Sequence, residues 1–261
     1  REVELVRTYV AIVAACGVSE LPSPEEAQTL VVAVRPGPAS WFPGPDGTLQ
    51  GIDHDLIERF AREKGLPLTV VTVSDAGALI ERVVAGEAHV GIGGLFRPRY
   101  VKPPVEKGRT HPPLLWTSGY ETAEAVVVYA RDAFRPRGFK DLAGAEVAYV
   151  ESSGIEGVLA QVRRDHPEIV WVPMKASSAD ALLAAVDEGN VDFAVVSSID
   201  AAVGRNIHLD VDVAFPLGVK RELAWAIGGH HPELARELDD FLARMRRDGT
   251  LARLAERYFA P

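Results

Sequence analysis

Arg97 and Arg99 flank Pro98 in GIGGLFRPRY, residues 91–100, directly after a run of small and apolar residues. A guanidinium offers a planar fork of N–H donors that grips a carboxylate through two parallel hydrogen bonds, and the grip tightens where water is excluded. Aimed into a cleft, either arginine would hold an anion. A rim salt bridge to a surface acid is the other use of the same side chain. A second anion-favouring stretch is ESSGIEG, where Ser152, Ser153 and Gly154 precede a predicted helix over 155–165. Unpaired N–H groups at a helix start, with small hydroxyls beside them, suit negative charge, although plain capping employs the same residues.

Other chemistries lack their residues. The seven histidines are isolated in sequence except for the adjacent His230 and His231, and the single cysteine, Cys16, offers no disulfide framework or cysteine cluster, so no metal site is expected. GIGGL follows a strand pattern without the spacing or lysine of a phosphate-binding loop, and no serine-nucleophile elbow is present, so neither a cofactor nor a catalytic residue is assigned. A formal net charge of -9 argues against a nucleic-acid partner, which would need a positive footprint. With 261 residues, 47% of them hydrophobic, the chain is long enough for a substantial core. The apolar run from Tyr9 to Cys16 is too short to cross a bilayer. Its end, VAAC before Gly17, has the look of a lipoprotein cleavage site, yet REVELVR before it carries two glutamates. A truncated export or lipidation signal anchored at Cys16 and an amphipathic helix are both open.

The elements that must position these residues follow a repeating rhythm. TLVVAVRPG is a strand leading into the loop PGPASWFPGPDGTLQG, which presents Trp41 and Phe42. DHDLIERFAREKG is a helix with Asp53 as its expected N-cap and Gly65 as its stop. LPLTVVTV, DAGALIERVVAG and AHVGIGGL read as strand, helix and buried strand. Short connections in such an order imply parallel pairing and right-handed crossovers, with ligands gathering beyond the carboxyl ends of the strands, where Arg35, Trp41 and the two arginines lie. The rhythm restarts at AEAVVVYA and runs through FKDLAGAEVAYV, a helix, IVWVPM, the capped helix of SSADALLAAVDEGNVD, and FAVVSS. HPELARELDDFLARMRRDG then carries the apolar stripe Leu234, Leu238, Phe241, Leu242 and Met245, with Gly249 as its stop and Thr250 opening a last short helix.

In their order and spacing, TLVVAVRPGP, DGTLQGIDHDLIERFAREKG, LIERVVAGEAHVGIGGL, FKDLAGAEVAYVESSG, LLAAVDEGNVDFAVVSS and DGTLARLAERYF resemble family 3 of the periplasmic solute-binding proteins, the polar amino-acid type. The pattern is most similar to the solute-binding-like domain of membrane-bound lytic transglycosylase F. The resemblance implies an α/β chain of the type II periplasmic-binding-protein fold, two lobes joined by a hinge of two crossings. It implies an N-terminal extension over 1–28, a first lobe from 29–118 plus 217–261, and a second from 122–214. It also implies a monomer that captures a small carboxylate-bearing ligand, an amino acid or a cell-wall peptide, in the periplasm or on the outer face of a bacterial membrane. The expected partner is a covalently linked transglycosylase domain; the alternatives are a membrane permease, making the chain a transporter's solute receptor, and a dehydratase-like enzyme on the same fold.

The family's carboxylate-gripping arginine falls at Arg97 or Arg99, in a loop one residue short that lacks the usual threonine. Its aromatic platform falls at Trp41 and Phe42, and Tyr120 either lines the pocket or supports the hinge. Where relatives place an aspartate against the ligand's ammonium, this chain has Ser197, which cannot neutralise a buried cation. Unless Glu151, Asp192 or Asp200 compensates, a free α-amino acid is expected to bind poorly. Trp116 and Trp225 are expected in the core, and Glu222 and Glu256 sit in segments of the binding fold.

Overall fold

The computed structural model describes residues 20–98, 113–151, 153–175 and 178–259. Arg99, Ser152 and Cys16 lie outside the described residues.

A short helix α1 (Pro24–Ala27), capped by Ser23, feeds β1 (Leu30–Val34), whose five residues are all buried. The proline-rich loop holds a small hairpin, β2 (Phe42–Pro43) with β3 (Leu49–Gln50). Then come α2 (Ile52–Lys64), β4 (Leu68–Thr72), α3 (Ala76–Val84) and β5 (Val90–Ile92). After β6 (Leu114–Trp116), the second unit runs through β7 (Glu121–Ala130), β8 (Glu146–Val150), α4 (Ile155–Asp165), β9 (Val170–Met174), α5 (Ala179–Asp187), β10 (Phe193–Ser197) and α6 (Ser198–Gly204). The long strand β11 (Val211–Leu223), β12 (Ala226–Gly228), α7 (Pro232–Arg247) and α8 (Thr250–Phe259) complete the order.

Two five-stranded sheets result, ordered β4-β1-β5-β12-β6 and β11-β7-β10-β8-β9. In the first, β1 pairs in parallel with both β4 and β5, setting Val34 opposite Thr72 and Ile92. Their carboxyl ends therefore lie side by side, and Arg35 leaves the sheet at that edge. In the second, β10 runs parallel to β8 and antiparallel to β7, so Ser197 sits at the carboxyl end of a central strand.

The chain passes from the first sheet to the second between β6 and β7, and returns between β11 and β12. These two crossings are stitched together. Thr117 and Trp225 exchange bonds, the Thr117 N–H donating to the Trp225 carbonyl at 3.0 Å and the Trp225 N–H to Thr117 Oγ1 at 3.0 Å. Tyr120 N–H donates to the Leu223 carbonyl at 3.0 Å. A pair of tied strands bends as a unit, and this geometry suits a hinge.

The core explains why the periodic segments fold where they do. Leu234, Leu238, Phe241, Leu242 and Met245 form the buried stripe of α7, and Phe60 of α2 meets Phe241 edge to face at 5.4 Å. Gly65 closes α2 in the left-handed region at φ 68°, as its position predicts. The expected N-cap fails. Gly51 starts α2, and Asp53 instead turns inward to be wholly buried, because Trp225 and Ser40 offer it donors from across the lobe. Trp225 is fully buried as expected, whereas Trp116 is only partly so. Among the described residues, no helix is long and apolar enough to cross a membrane.

Candidate functional site

Where the carboxyl ends of the first sheet face the second unit, polar groups are buried together. Arg35 is 6% exposed; its Nη2 donates to the Gly93 carbonyl at 2.6 Å, and its Nη1 is buried without a partner. A Cβ built on Gly93 would stand 2.9 Å from Arg35 Cβ, so only glycine leaves room for this approach. Burial pulls the guanidinium below its ordinary pKa, opposed by the attraction of Asp200 and Asp75. Tyr120, 2% exposed, stacks obliquely on Trp225 at 5.8 Å, and its hydroxyl is likewise buried without a partner. That hydroxyl faces Asp53 without closing a hydrogen bond, and burial followed by the Asp53 charge holds its pKa well above the ordinary value.

Asp53 accepts from Trp225 Nε1 at 2.7 Å and from Ser40 Oγ, and burial outweighs both bonds to raise its pKa. From the second unit comes Asp200, in the first turn of α6 and partly shielded from solvent. Its Oδ2 accepts from Ser197 Oγ at 2.8 Å, and Ser197 Oγ in turn accepts from the Asp200 N–H at 3.0 Å. Desolvation raises its pKa, while the Ser197 bond and the Arg35 charge hold it down. Asp200 and Arg35 thus attract each other across the two units without an ion pair between them.

A groove of about 550 Å³ begins at Pro36 and Gly37, the residues that follow Arg35 in the chain. One wall is Pro36, Gly37, Trp41, Phe42 and Gln50; the other brings Ser178, Asp180, Val203 and Ile207 from the second unit, with Arg257 and Tyr258 of α8 between them. Trp41, 5% exposed, packs edge-on against His54 at 4.8 Å, and Phe42 meets Tyr258 edge-on at 6.0 Å. Tyr258 Oη donates to Asp55 Oδ2 at 2.5 Å, fixing α8 to α2 beside the groove. Asp180 also repels Asp200, which places the groove within electrostatic reach of the buried cluster. Among the described residues, no group of three His, Cys, Asp or Glu is placed to hold a metal ion.

The sequence-predicted residues distribute unevenly over this geometry. Trp41 and Phe42 line the groove, and Tyr120 and Ser197 belong to the buried cluster. Arg97 stands apart: its side chain is 43% exposed and pairs with Glu222 at 3.5 Å, beside a smaller 260 Å³ cavity at the crossings. Ser153 Oγ donates to the Val150 carbonyl at 2.7 Å, and the Gly154 N–H donates to Glu156 Oε2 at 3.1 Å, so the start of α4 is capped from within. Gly154 nonetheless touches the other unit, since a Cβ there would lie 3.1 Å from the Phe96 carbonyl oxygen. Three residues take on weight that the sequence did not assign. Arg35 carried a signal in the glycines of GIGGL, which make space beside it; Asp53 looked like a cap; Asp200 was only one of several possible compensating acids.

Paired α/β units with two tied crossings are the architecture of the type II periplasmic-binding-protein fold, and solved structures of that fold superpose on the chain. A mutant of ArgBP from T. maritima covers 91% of it with a TM-score of 0.74 at 22% identity, with 98% of that chain aligned. An ancestral amino acid-binding protein, described as a precursor of cyclohexadienyl dehydratase, covers 90% of it with a TM-score of 0.71 at 23% identity, with 97% of that chain aligned. No protein-family model matches the chain. Over about half of that protein's length the chain is related to membrane-bound lytic murein transglycosylase F. It is 32% identical to that protein from Thiobacillus denitrificans over 91% of its length, and 28% identical to that from Photobacterium profundum over 99%. It spans about half the length of these curated relatives, 49% and 50% respectively.

Proposed function

We propose that this domain captures a small carboxylate-bearing ligand, an amino acid or a short cell-wall peptide, between its two units, and relays closure to a partner. The observation that carries the reading is the pair of buried, unpartnered donors, Arg35 Nη1 and Tyr120 Oη, at the junction of the units. A buried donor without an acceptor costs about 1–3 kcal/mol. A ligand carboxylate would satisfy both at once, with the guanidinium supplying the charge. The anion clamp is thereby assigned to Arg35, with Trp41 and Phe42 flanking the ligand; Arg97, exposed and paired with Glu222, is the weaker candidate.

The lobes that close would be 29–118 with 217–261, and 122–214. A dehydratase-like activity would need a group placed for proton transfer to a bound substrate, and the proposal assigns none. The partner follows from the kinship with half of a transglycosylase: the domain would work outside the cytoplasm and regulate an attached or associated wall-cleaving domain. The second reading, a solute receptor for a transporter, is favoured by a likeness to the substrate binding protein of an amino acid ABC transporter, with a TM-score of 0.72 over 89% of this chain.

Mass spectrometry of material released from denatured, freshly purified protein tests the reading. A carboxylate-bearing compound is expected from the wild type, and Arg35→Ala should weaken its rebinding by ~2–5 kcal/mol while Arg97→Ala changes it little. A consistently empty protein that no amino acid or cell-wall peptide stabilises against heat would overturn it.

A further inference from the structure

At the amino-terminal ends of β1 and β5, away from Arg35, three histidines gather around the segment Glu20–Pro22 that leads into α1. His89 is fully buried just ahead of β5, and His230 and His231 follow β12. The His89 and His231 rings meet edge-on at 5.0 Å, and those of His230 and His231 lie 3.9 Å apart. The Val31 N–H donates to His89 Nδ1 at 2.9 Å while the His89 N–H donates to the Val31 carbonyl at 2.9 Å, so the imidazole supplies a rung of the β1 ladder before β5 begins. A backbone N–H can only donate, which makes Nδ1 the acceptor and puts the ring proton on Nε2. That Nε2–H donates to the Pro22 carbonyl at 2.8 Å. The same segment is held twice more, by the Leu21 N–H donating to the Gly86 carbonyl at 2.9 Å and by His230 Nε2 donating to the Leu21 carbonyl at 3.2 Å. Gly86, at φ 74°, permits the approach, since a Cβ there would stand 2.8 Å from Glu20 Cα.

We propose that His89 and His230 form an acid-sensitive clasp, which fixes Glu20–Pro22 to the first unit and releases that segment when His89 takes up a proton. A proton on Nδ1 turns the acceptor into a donor facing the Val31 N–H; the ring then has to leave, and its bond to Pro22 leaves with it. Burial is the main cause that lowers the His89 pKa; the Pro22 bond and Glu25 of α1 oppose it, and a charge on His230 adds to it. The other charges around the ring are already engaged. Glu25 pairs with Lys64 Nζ at 2.8 Å, and Lys64 also with Glu237 of α7 at 2.5 Å; Glu20 Oε2 lies 3.7 Å from His230 Nδ1, and Glu87 pairs with Arg82 at 3.1 Å. With the pKa lowered on folding, the clasp contributes in full above the ordinary histidine value near ~6.5, and its contribution is lost as pH falls through the lowered pKa. The clasp governs how the chain enters the first unit, at the end of the sheet away from Arg35, and does not depend on the proposed ligand.

The experiment follows imidazole and backbone amide resonances of the whole, nitrogen-15-labelled chain from pH about 8 down to about 5. The His89 ring is expected to hold its Nε2–H tautomer at the upper end and to titrate with a midpoint below the ordinary histidine value, and the Val31 amide to shift with that midpoint. Past it, the Leu21 amide should exchange about tenfold faster once the intrinsic pH dependence of exchange is removed. In His89→Asn, whose side-chain oxygen accepts from the Val31 N–H but does not titrate, the Leu21 response should disappear. A His89 ring that titrates at or above the ordinary value, or Val31 and Leu21 amides that do not follow its midpoint, would overturn the proposal. So would a Leu21 response that persists unchanged in His89→Asn. The ring and amide titrations use unaltered protein, so a variant that misfolds does not shield the clasp.

Discussion

Asp53 shows at the scale of one residue how a helix-start pattern can serve a different purpose. Fully buried and held by Trp225 Nε1 and Ser40 Oγ, it binds α2 and the first loop to the returning chain crossing. Burial lifts its pKa above the ordinary carboxylate value near ~4, so in the folded state it keeps its proton to higher pH than in the unfolded chain. The folded state therefore gains most from Asp53 below that ordinary value, and the gain is lost as pH rises through the raised pKa. Urea midpoints measured from pH about 4 upward should fall more steeply for the wild type than for Asp53→Asn. Parallel slopes for the two proteins would show that Asp53 titrates normally.

Among the elements, the start of α4 is the most constrained. Gly154 occupies the left-handed region at φ 85°, and the space its missing Cβ leaves is taken by Phe96 of the opposite unit, with the carbonyl oxygen at 3.1 Å and Cβ at 3.2 Å. Two demands meet at one residue: a backbone conformation that glycine adopts freely, and a close approach between units. Gly154→Ala is expected to cost about 1–2 kcal/mol from backbone strain, read by equilibrium urea denaturation. The contact with Phe96 must also give way, so the substitution should push the two units apart at this point. Gly157, one turn on with open space around it, is the control: Gly157→Ala should be neutral or stabilising, as expected of glycine replaced inside a helix.

For the whole molecule, the motion that the proposed function requires is rotation of one sheet against the other about the tied crossings. Arg246 Nη2 reinforces that region by donating to the Gly119 carbonyl at 2.6 Å. Small-angle scattering should show the radius of gyration falling when a stabilising amino acid is added to the wild type. Arg35→Ala should show no such fall under the same conditions, because the ligand would lose its hold on the first unit. A ligand that binds without compaction would separate capture from signalling. Much of this design is legible in the chain itself: alternating strands and helices, their glycine stops, the α7 stripe, and the aromatic loop all arise from local periodicity and turn chemistry, which neighbouring residues encode. The burial of Arg35, the exposed pairing of Arg97 with Glu222 and the inward turn of Asp53 toward Trp225, 172 residues away, were settled only by the folded chain. Those are relations between distant residues whose energies depend on burial, and a side chain's dielectric surroundings exist only once the two units have packed.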